Sequence, residues 1–334
     1  MRVSRARYIP CSRVSSALVG ISGREYQRGK VLHSNQHDKA FDVHLAHFEN
    51  KQYVLKRLPE SFFELSQEHK RDFPDSRRIR LDVDYNEKEQ TVVYEYFKTD
   101  LLALVQNNAD FPLAARKQIL FEIGKALQEL HGKNWIHIDV KPNNVMVDWN
   151  LDDQGQVQIE RVALIDLEVS LKLEGDKLLR IPLPNMQRLG NFMWRSPEAQ
   201  TGQGIGKPAD VFSFGLVCIY TLTSKEIMAV DHEELREKEV EPEIEILGRC
   251  IVYFGPLSEG LLKHTADETW QLVLRQVEEG VAEASTIFRL ENWTESDYPN
   301  IDAEAKRMLG RIMNLDPAKR ATMDEILEDS YWSQ

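Results

Sequence analysis

The stretch Ile136-His137-Ile138-Asp139-Val140-Lys141-Pro142-Asn143-Asn144-Val145-Met146-Val147 sets an acid, a lysine two positions on and an amide three further, inside an apolar frame. Twenty-two residues after Asn144, the apolar run Ala163-Leu164-Ile165 ends in a second acid, Asp166. Side chains of these types can take up a proton, neutralise an anion and offer oxygen ligands to a hard cation. Taken singly, each acid reads as a solvated or capping residue. Order and spacing argue against that for Asp139, Asn144 and Asp166.

Three later stretches extend the pattern: Arg195-Ser196-Pro197-Glu198, Asp210-Val211-Phe212-Ser213-Phe214-Gly215 and Leu315-Asp316-Pro317-Ala318-Lys319-Arg320. In this order the whole set resembles the catalytic-loop, DFG, APE, D-x-W-S-F-G and L-D-P-x-x-R motifs of eukaryotic protein kinases, over about residues 26–334. The resemblance implies an α+β, bilobal protein kinase fold. A basic N-terminal extension (1–24) would precede a small β-rich N-lobe (25–97) and a larger helical C-lobe (98–334).

The resemblance also implies ATP and Mg²⁺ as cofactors and a protein hydroxyl as acceptor. Phosphoryl transfer asks the protein mainly for positioning and countercharge. On this reading Asp139 accepts the substrate hydroxyl proton, Lys141 neutralises the γ-phosphate, and Asn144 and Asp166 hold Mg²⁺. Lys56, in Tyr53-Val54-Leu55-Lys56, matches the lysine that grips the α and β phosphates. Its expected partner is Glu64, with Glu68 one turn on as the alternative. The adenine is expected against Val43 and Val54 above and Met146 below, at hinge backbone Glu95–Phe97, with Tyr94 as gatekeeper. Glu198 and Arg320 are expected to form a buried ion pair and Asp210 to hold the catalytic-loop backbone. These three are structural rather than catalytic.

Lys141 is what the serine/threonine type carries. Arg195 before Ser-Pro-Glu resembles the arginine of the group containing the cyclin-dependent, MAP and SR-protein kinases. Glu198 and Arg320 are 122 residues apart, long for the family. The excess includes Ile251-Val252-Tyr253-Phe254-Gly255-Pro256-Leu257 and Leu261-Leu262, similar to that group's large-lobe insert. The whole is also similar to a set of kinase-like proteins common in fungi.

Four positions depart from the pattern. The segment His33 to Phe41 has no glycine, although glycines let backbone N–H groups approach phosphates closely. The DFG triplet is Asp166-Leu167-Glu168; Leu167 can replace the phenylalanine, but Glu168 adds charge and removes glycine's freedom. Ile138 replaces the arginine of H-R-D, so no dependence on activation-loop phosphorylation is expected. Asn191 stands where serine/threonine kinases keep a threonine. These departures keep a second reading open, a pseudokinase acting as a binding or allosteric module. A third, phosphorylation of a small molecule, fits the second-lobe motifs less well.

The elements that must position these residues are legible as periodicities. Val31-Leu32, Phe41 to Ala46, Tyr53 to Lys56, Ile79 to Val83 and Thr91 to Tyr96 read as strands, with Asn86 to Glu89 a polar turn. A short helix starts at Pro59-Glu60-Ser61 and ends at Pro74. Ile119, Leu120, Ile123, Leu127 and Leu130 mark one face of a long helix. Lys and Arg number 42 against 54 Asp and Glu, a net charge of −12, which is a poor footprint for a nucleic-acid partner. No apolar run reaches the ~18 residues of a membrane span, so no membrane partner is expected. Three cysteines without metal-site spacing suit a reducing compartment, cytoplasm or nucleus. The first 24 residues carry Arg2, Arg5, Arg7, Arg13 and Arg24 with no acid, a composition that also suits a mitochondrial transit segment. Neither substrate nor oligomeric state is written in the sequence.

Overall fold

The computed structural model describes residues 16–175, 177–181 and 189–333. The chain divides into two compact units, Met1–Pro74 with Leu81–Tyr96, and Asp75–Arg80 with Phe97–Gln334. The first is built on strands β1 (Ala17–Val19), β2 (Glu25–His33), β3 (Val43–Phe48), β4 (Lys51–Arg57), β5 (Asp84–Asn86) and β6 (Thr91–Glu95), with helix α1 (Glu60–Asp72) between β4 and β5. The sheet runs β1-β2-β3-β4-β6-β5, and each of its pairings is antiparallel.

Leu18, Tyr26, Ala46, Tyr53, Leu55 and Val93 fill one face of this sheet, while Leu58, Phe63 and Val92 make a second cluster with α1. Alternation along β6 sends Val92 and Val93 to opposite faces. The two edges are tied by the β1–β2 turn. Ile21 N–H donates to the Tyr85 carbonyl at 2.8 Å, and the Asn86 amide donates to the Val19 carbonyl at 2.8 Å. Asp84 organises this closure from a buried position, accepting from the Ser22 and Tyr85 N–H groups and from the hydroxyls of Ser22 and Tyr26. Only glycine fits at position 20, where a Cβ would lie 2.0 Å from an Asp84 carboxylate oxygen.

Two expectations change here. Residues 16–24 belong to this sheet and not to an N-terminal extension: Leu18 is fully buried and pairs with Tyr26. The basic residues before position 16 lie outside the described residues. The strand expected over 79–83 is displaced to Asp84–Asn86. Ile79 instead makes an isolated parallel bridge to Leu164 of the second unit's own sheet, because residues 75–80 pack with that unit.

The second unit is mainly helical. It contains β7 (Thr99–Asp100), α2 (Leu101–Asn107), α3 (Leu113–Gly132), β8 (Trp135–Ile136), β9 (Val145–Leu151), β10 (Val157–Leu164), β11 (Leu171–Lys172) and β12 (Leu179–Arg180). There follow α4 (Pro197–Thr201), β13 (Gln203–Ile205), α5 (Lys207–Thr223), α6 (His232–Glu237), α7 (Pro242–Phe254), α8 (Glu259–Thr265), α9 (Glu268–Gly280), α10 (Ala282–Phe288), α11 (Ala303–Ile312) and α12 (Met323–Leu327). Helix α3 carries the apolar face read from the sequence: Ile119, Leu120, Ile123, Leu127 and Leu130 are all fully buried. Helix α5 is buried on every side from Ala209 to Thr223, so it is the axis round which the unit packs. The insert read from the sequence forms the end of α7 and helix α8.

The C-terminus is fastened by Asp329. Its oxygens accept from both terminal nitrogens of Arg307 at 2.8 and 2.5 Å, from Arg311 at 2.8 Å and from the Tyr331 N–H at 3.0 Å. The Arg307 bonds lead in holding its carboxyl down at about 2. A carboxyl depressed on folding stabilises the fold above its ordinary pKa near 4, and that stability is lost as pH falls towards 2. We predict that Asp329→Asn costs about 1–2 kcal/mol at pH 7, allowing for the half-exposed arginines. Urea unfolding should then show the gap between the two proteins closing between pH 4 and pH 2.

Candidate active site

The loop between β8 and β9 is hung from α5. The Asp210 carboxylate, buried in α5, accepts the His137 N–H at 2.7 Å and the Ile138 N–H at 2.8 Å, with His131 Nε2 3.0 Å away. The His137 ring lies 2.9 Å from the Ile165 carbonyl. This fixes the loop on both flanks and lets Ile138 adopt φ +68°, a conformation unusual for a β-branched residue.

Asp139 is the hub of the site. Lys141 Nζ lies 2.6 Å from its Oδ2. The Asn144 amide nitrogen donates to Asp139 Oδ2 at 3.0 Å and to its carbonyl at 2.8 Å. The Asn191 N–H donates to Asp139 Oδ1 at 2.8 Å. The Asn144 amide nitrogen is thus committed to Asp139. The β9–β10 ladder pairs Val145 with Leu164, and Ile165 N–H donates to the Asn144 carbonyl at 2.9 Å. This sets Asn144 beside the run that ends in Asp166, whose φ is +68°. Asp139, Lys141 and Asn144 are thus brought together as the spacing implied. Oxygen ligands from two residues suit a cation that shares phosphate oxygens, as Mg²⁺ does, rather than an all-protein cage. Among the described residues no cluster of three His, Cys, Asp or Glu side chains could hold a metal alone.

The departures acquire physical form. Leu167 is buried, as an apolar substitute for phenylalanine should be, and opens a short 3₁₀ turn with Glu168 and Val169. Asn191 does not copy the threonine: its backbone N–H, not its amide, meets Asp139, while its side-chain oxygen caps the next turn through Met193 N–H at 3.0 Å. Ile138 sits in an apolar cluster with Ile136, Ala199, Ile205 and Ala209, against which Leu171, Leu173, Leu179, Ile181 and Leu189 pack. The segment after Asp166 is also pinned by β11–β8 and β12–β13 pairing. Apolar burial and backbone ladders thus hold its described residues, where the family pattern would have an arginine meet a phosphate.

In the first unit, Lys56 lies half-buried in β4 opposite Val92. Val54 pairs with both Leu45 and Tyr94, Val43 opens β3, and Glu95 closes β6. Phe97 is buried and Met146 is half-buried in β9. Glu64 and Glu68 differ in exposure. Glu64 lies exposed on α1 with no ion pair among the described residues, whereas Glu68, a turn later, is half-buried. The helix buries Phe63 and His69, and Glu64 falls off that face.

The loop from 34 to 42 has the glycine-free sequence and bonds to itself. Asp42 accepts from the Asn35 N–H at 2.7 Å, Asn35 from the His37 and Asp38 N–H groups, and Asp38 from the Ala40 N–H at 2.8 Å. Side-chain oxygens of the loop occupy the donors that a glycine-rich loop would turn to phosphate.

Sequence reading misses two parts of the site. Gly190, with φ +77°, passes so close to the catalytic loop that a Cβ would lie 2.5 Å from the Ile138 carbonyl oxygen. Asp148 and Arg161 brace the chain beyond the hinge through a side-chain bond that no motif announces.

A first unit of antiparallel strands with one helix, a helical second unit, and an Asp-Lys-Asn cluster hung from a buried aspartate define a protein kinase. The protein kinase domain model matches residues 79–332, and the chain belongs to that family. The matched stretch begins after Lys56 and the self-bonded loop. Cell division control protein 2 homolog 2 of Trypanosoma brucei brucei is 23% identical over 76% of this chain and 64% of its own length. Cyclin-dependent kinase 8 of Caenorhabditis briggsae is 24% identical over 85% of this chain and 48% of its own length. The chain therefore spans about half to two-thirds of these two relatives. The structure described as that of the yeast RNA Pol II CTD kinase CTDK-1 complex superposes with a TM-score of 0.67, at 16% identity, over 100% of this chain and 97% of that one. Within the protein kinases, the similarity runs to the cyclin-dependent group.

The Gly190–Asn191 geometry yields a test. A side chain at a positive φ against a backbone carbonyl costs about 1–3 kcal/mol, so Gly190→Ala should lower the melting temperature by several degrees. Asn191→Ala keeps the N–H that meets Asp139 and loses only a cap, about 1 kcal/mol or less. Differential scanning fluorimetry of the two variants should give that order.

Proposed function

We propose that this chain is an Mg²⁺- and ATP-dependent serine/threonine protein kinase. The observation that carries the reading is the Asp139 cluster: a carboxylate held by Lys141, Asn144 and the Asn191 N–H, at the end of a loop fixed by Asp210. Asp139 is the acceptor for the proton of a substrate hydroxyl, and Lys141 is the cation for the transferred phosphate. The amide oxygen of Asn144 and the carboxylate of Asp166 would hold Mg²⁺, which when bound neutralises phosphate charge. Lys56 would grip the α and β phosphates, with Glu68 rather than Glu64 as the α1 acid suited to orient it. Val43, Val54 and Met146 would line the adenine site, Tyr94 would bound it, and the backbone from Glu95 to Phe97 would read the base. The substrate is a protein, and the compartment is cytoplasm or nucleus.

The self-bonded loop is the observation that favours the alternative, a nucleotide-poor module that acts by binding. The two readings separate in one experiment. Unfolding temperature is measured with and without 1 mM Mg-ATP for the natural sequence and for Asp166→Asn. If Kd is about 10 μM, ligand at 100 Kd adds about 2.7 kcal/mol and raises the melting temperature by several degrees. A magnesium-dependent rise that Asp166→Asn removes supports the kinase reading, and Asp139→Asn should then abolish transfer while leaving the rise intact. No rise at any nucleotide concentration would favour the binding module.

The apolar seat of Ile138 yields a second expectation. Because no cation at that position awaits a phosphate, phosphatase treatment should leave the transfer rate within about twofold. A rate that falls with dephosphorylation and returns with a phosphate on the 171–189 segment would contradict this.

A further inference from the structure

Strand β9 carries Met146 and, two residues on, Asp148, which strand alternation sends to the same face. Asp148 is buried, and its two oxygens divide their partners. Oδ1 accepts the Lys98 N–H at 2.8 Å. Oδ2 accepts Arg161 Nε at 3.0 Å and Nη2 at 2.5 Å. The Arg161 guanidinium lies over the Phe97 ring, 4.3 Å from its centroid, and Arg80 approaches the same ring at 5.9 Å. Immediately beyond, Thr99 and Asp100 pair with Val147 and Met146. One buried carboxylate therefore holds Lys98 by its backbone and, through an arginine, Phe97 by its ring.

A β-bulge makes this possible. Along the β9–β10 ladder Ile159 pairs with Trp149, and the next pair is Arg161 with Asp148. An unbroken register would set Glu160 opposite Asp148, carboxylate against carboxylate. The extra residue re-aims the strand so that a guanidinium takes that place.

We propose that Asp148 is a positioning residue for nucleotide binding, fixing the backbone at Phe97 and Lys98 through its bond to Lys98 and its pair with Arg161. The role in binding rests on the kinase reading; the role in the backbone does not. A donor or acceptor that must meet a purine edge has to be held to within about half an ångström, and the elements around Phe97 and Lys98 supply that hold. Asp148 touches no position assigned to phosphate, metal or the acceptor hydroxyl, so its loss should weaken binding of ATP and spare the transfer step.

The test uses the full chain with Asp148→Ala, Asp148→Asn and Arg161→Ala, each first shown to unfold cooperatively. Two quantities are read: hydrogen exchange of the Lys98 amide without nucleotide, and the Kd for Mg-ATP by calorimetry. Asp148→Ala should speed Lys98 exchange at least tenfold and raise Kd at least tenfold. In a transfer assay it should raise KM for ATP with kcat kept within threefold. Asp148→Asn keeps an oxygen for the Lys98 N–H and should restore both quantities to within about threefold. Arg161→Ala should fall between them. Unchanged exchange in Asp148→Ala overturns the proposal, as does faster exchange with an unchanged Kd. If the natural sequence binds no nucleotide, the binding role falls with the kinase reading, and the exchange data alone decide the backbone role. Should Asp148→Ala fail to fold, Asp148→Asn with Arg161→Ala decides: exchange and Kd at natural values in both overturn the proposal.

Discussion

The Asp210 carboxylate is buried in the most enclosed helix of the second unit, and among the described residues no arginine or lysine balances it. Its oxygens are met by the N–H groups of His137 and Ile138 and by the His131 ring. Taking a carboxylate out of water costs several kcal/mol unless its lone pairs are satisfied. The catalytic loop is what satisfies them. The dependence runs both ways: the loop needs an anchor to hold φ +68° at Ile138, and the anchor needs the loop to be tolerable in the core. Asp139, the next residue, then emerges at a fixed place. The polar groups of Lys141, Asn144 and Asn191 are arranged about it. The same helix packs the Glu198–Arg320 pair against its start, where Arg320 also donates to the Pro208 carbonyl at 2.6 Å. That pair is bidentate, at 2.6 and 3.2 Å, and wholly buried, so it too is tolerable only because each charge is fully met.

The segment after Asp166 shows one positional task solved by different forces. A charged solution would place an arginine at position 138 and neutralise it when a phosphate arrives. Here the position is apolar, and leucines and an isoleucine from 171 to 189 close over it. Apolar burial is non-directional and does not switch, at roughly 1.5–3 kcal/mol per buried side chain. Two short ladders supply the direction that burial lacks. Arg180 adds a third tie, reaching the Thr265 carbonyl at 2.7 Å and that of His264 at 3.0 Å at the end of α8. Among the described residues of this segment, the ties are apolar contacts and backbone bonds rather than a charge awaiting a partner.

How much of this the sequence discloses depends on what a sequence can encode. The Asp139-Lys141-Asn144 cluster, the Asp210 anchor and the Glu198–Arg320 pair are legible because their residue types stand at spacings that backbone geometry fixes. The buried face of α3 is legible from period alone. The strand expected at 79–83 is misplaced because its apolar residues serve two different units: Ile79 joins β10 and Val83 joins β6, and periodicity does not say where an alternating run changes partner. The sequence leaves Glu64 and Glu68 both open, and a single turn of helix separates exposed from half-buried. Asp148 and Arg161 are invisible because a one-residue bulge brings them opposite each other. A bulge is a backbone event that leaves no signature in composition or period.

The two units diverge from the family pattern unequally, and physical reasons connect the divergences. The family model matches from residue 79 onward, so the second unit carries the resemblance and most of the first lies outside it. In the second unit the anchoring residues Asp210, Glu198 and Arg320 are locked to others by buried bonds, so a change at one strands a charge or a polar group at its partner. The phosphate loop of the first unit is free of that constraint, because in the family pattern its donors face a ligand rather than the protein. When glycine is lost there, nothing in the core is unsatisfied; the loop satisfies itself, as Asp42, Asn35 and Asp38 do. Lys56, Asp139, Lys141, Asn144 and Asp166 all stand in the same chain as such a loop. Asn144 and Asp139 brace each other, and Lys56 and Asp166 are each half-buried. On the proposed reading the loop would set how tightly the phosphates are covered, whereas the charges would set whether they are held.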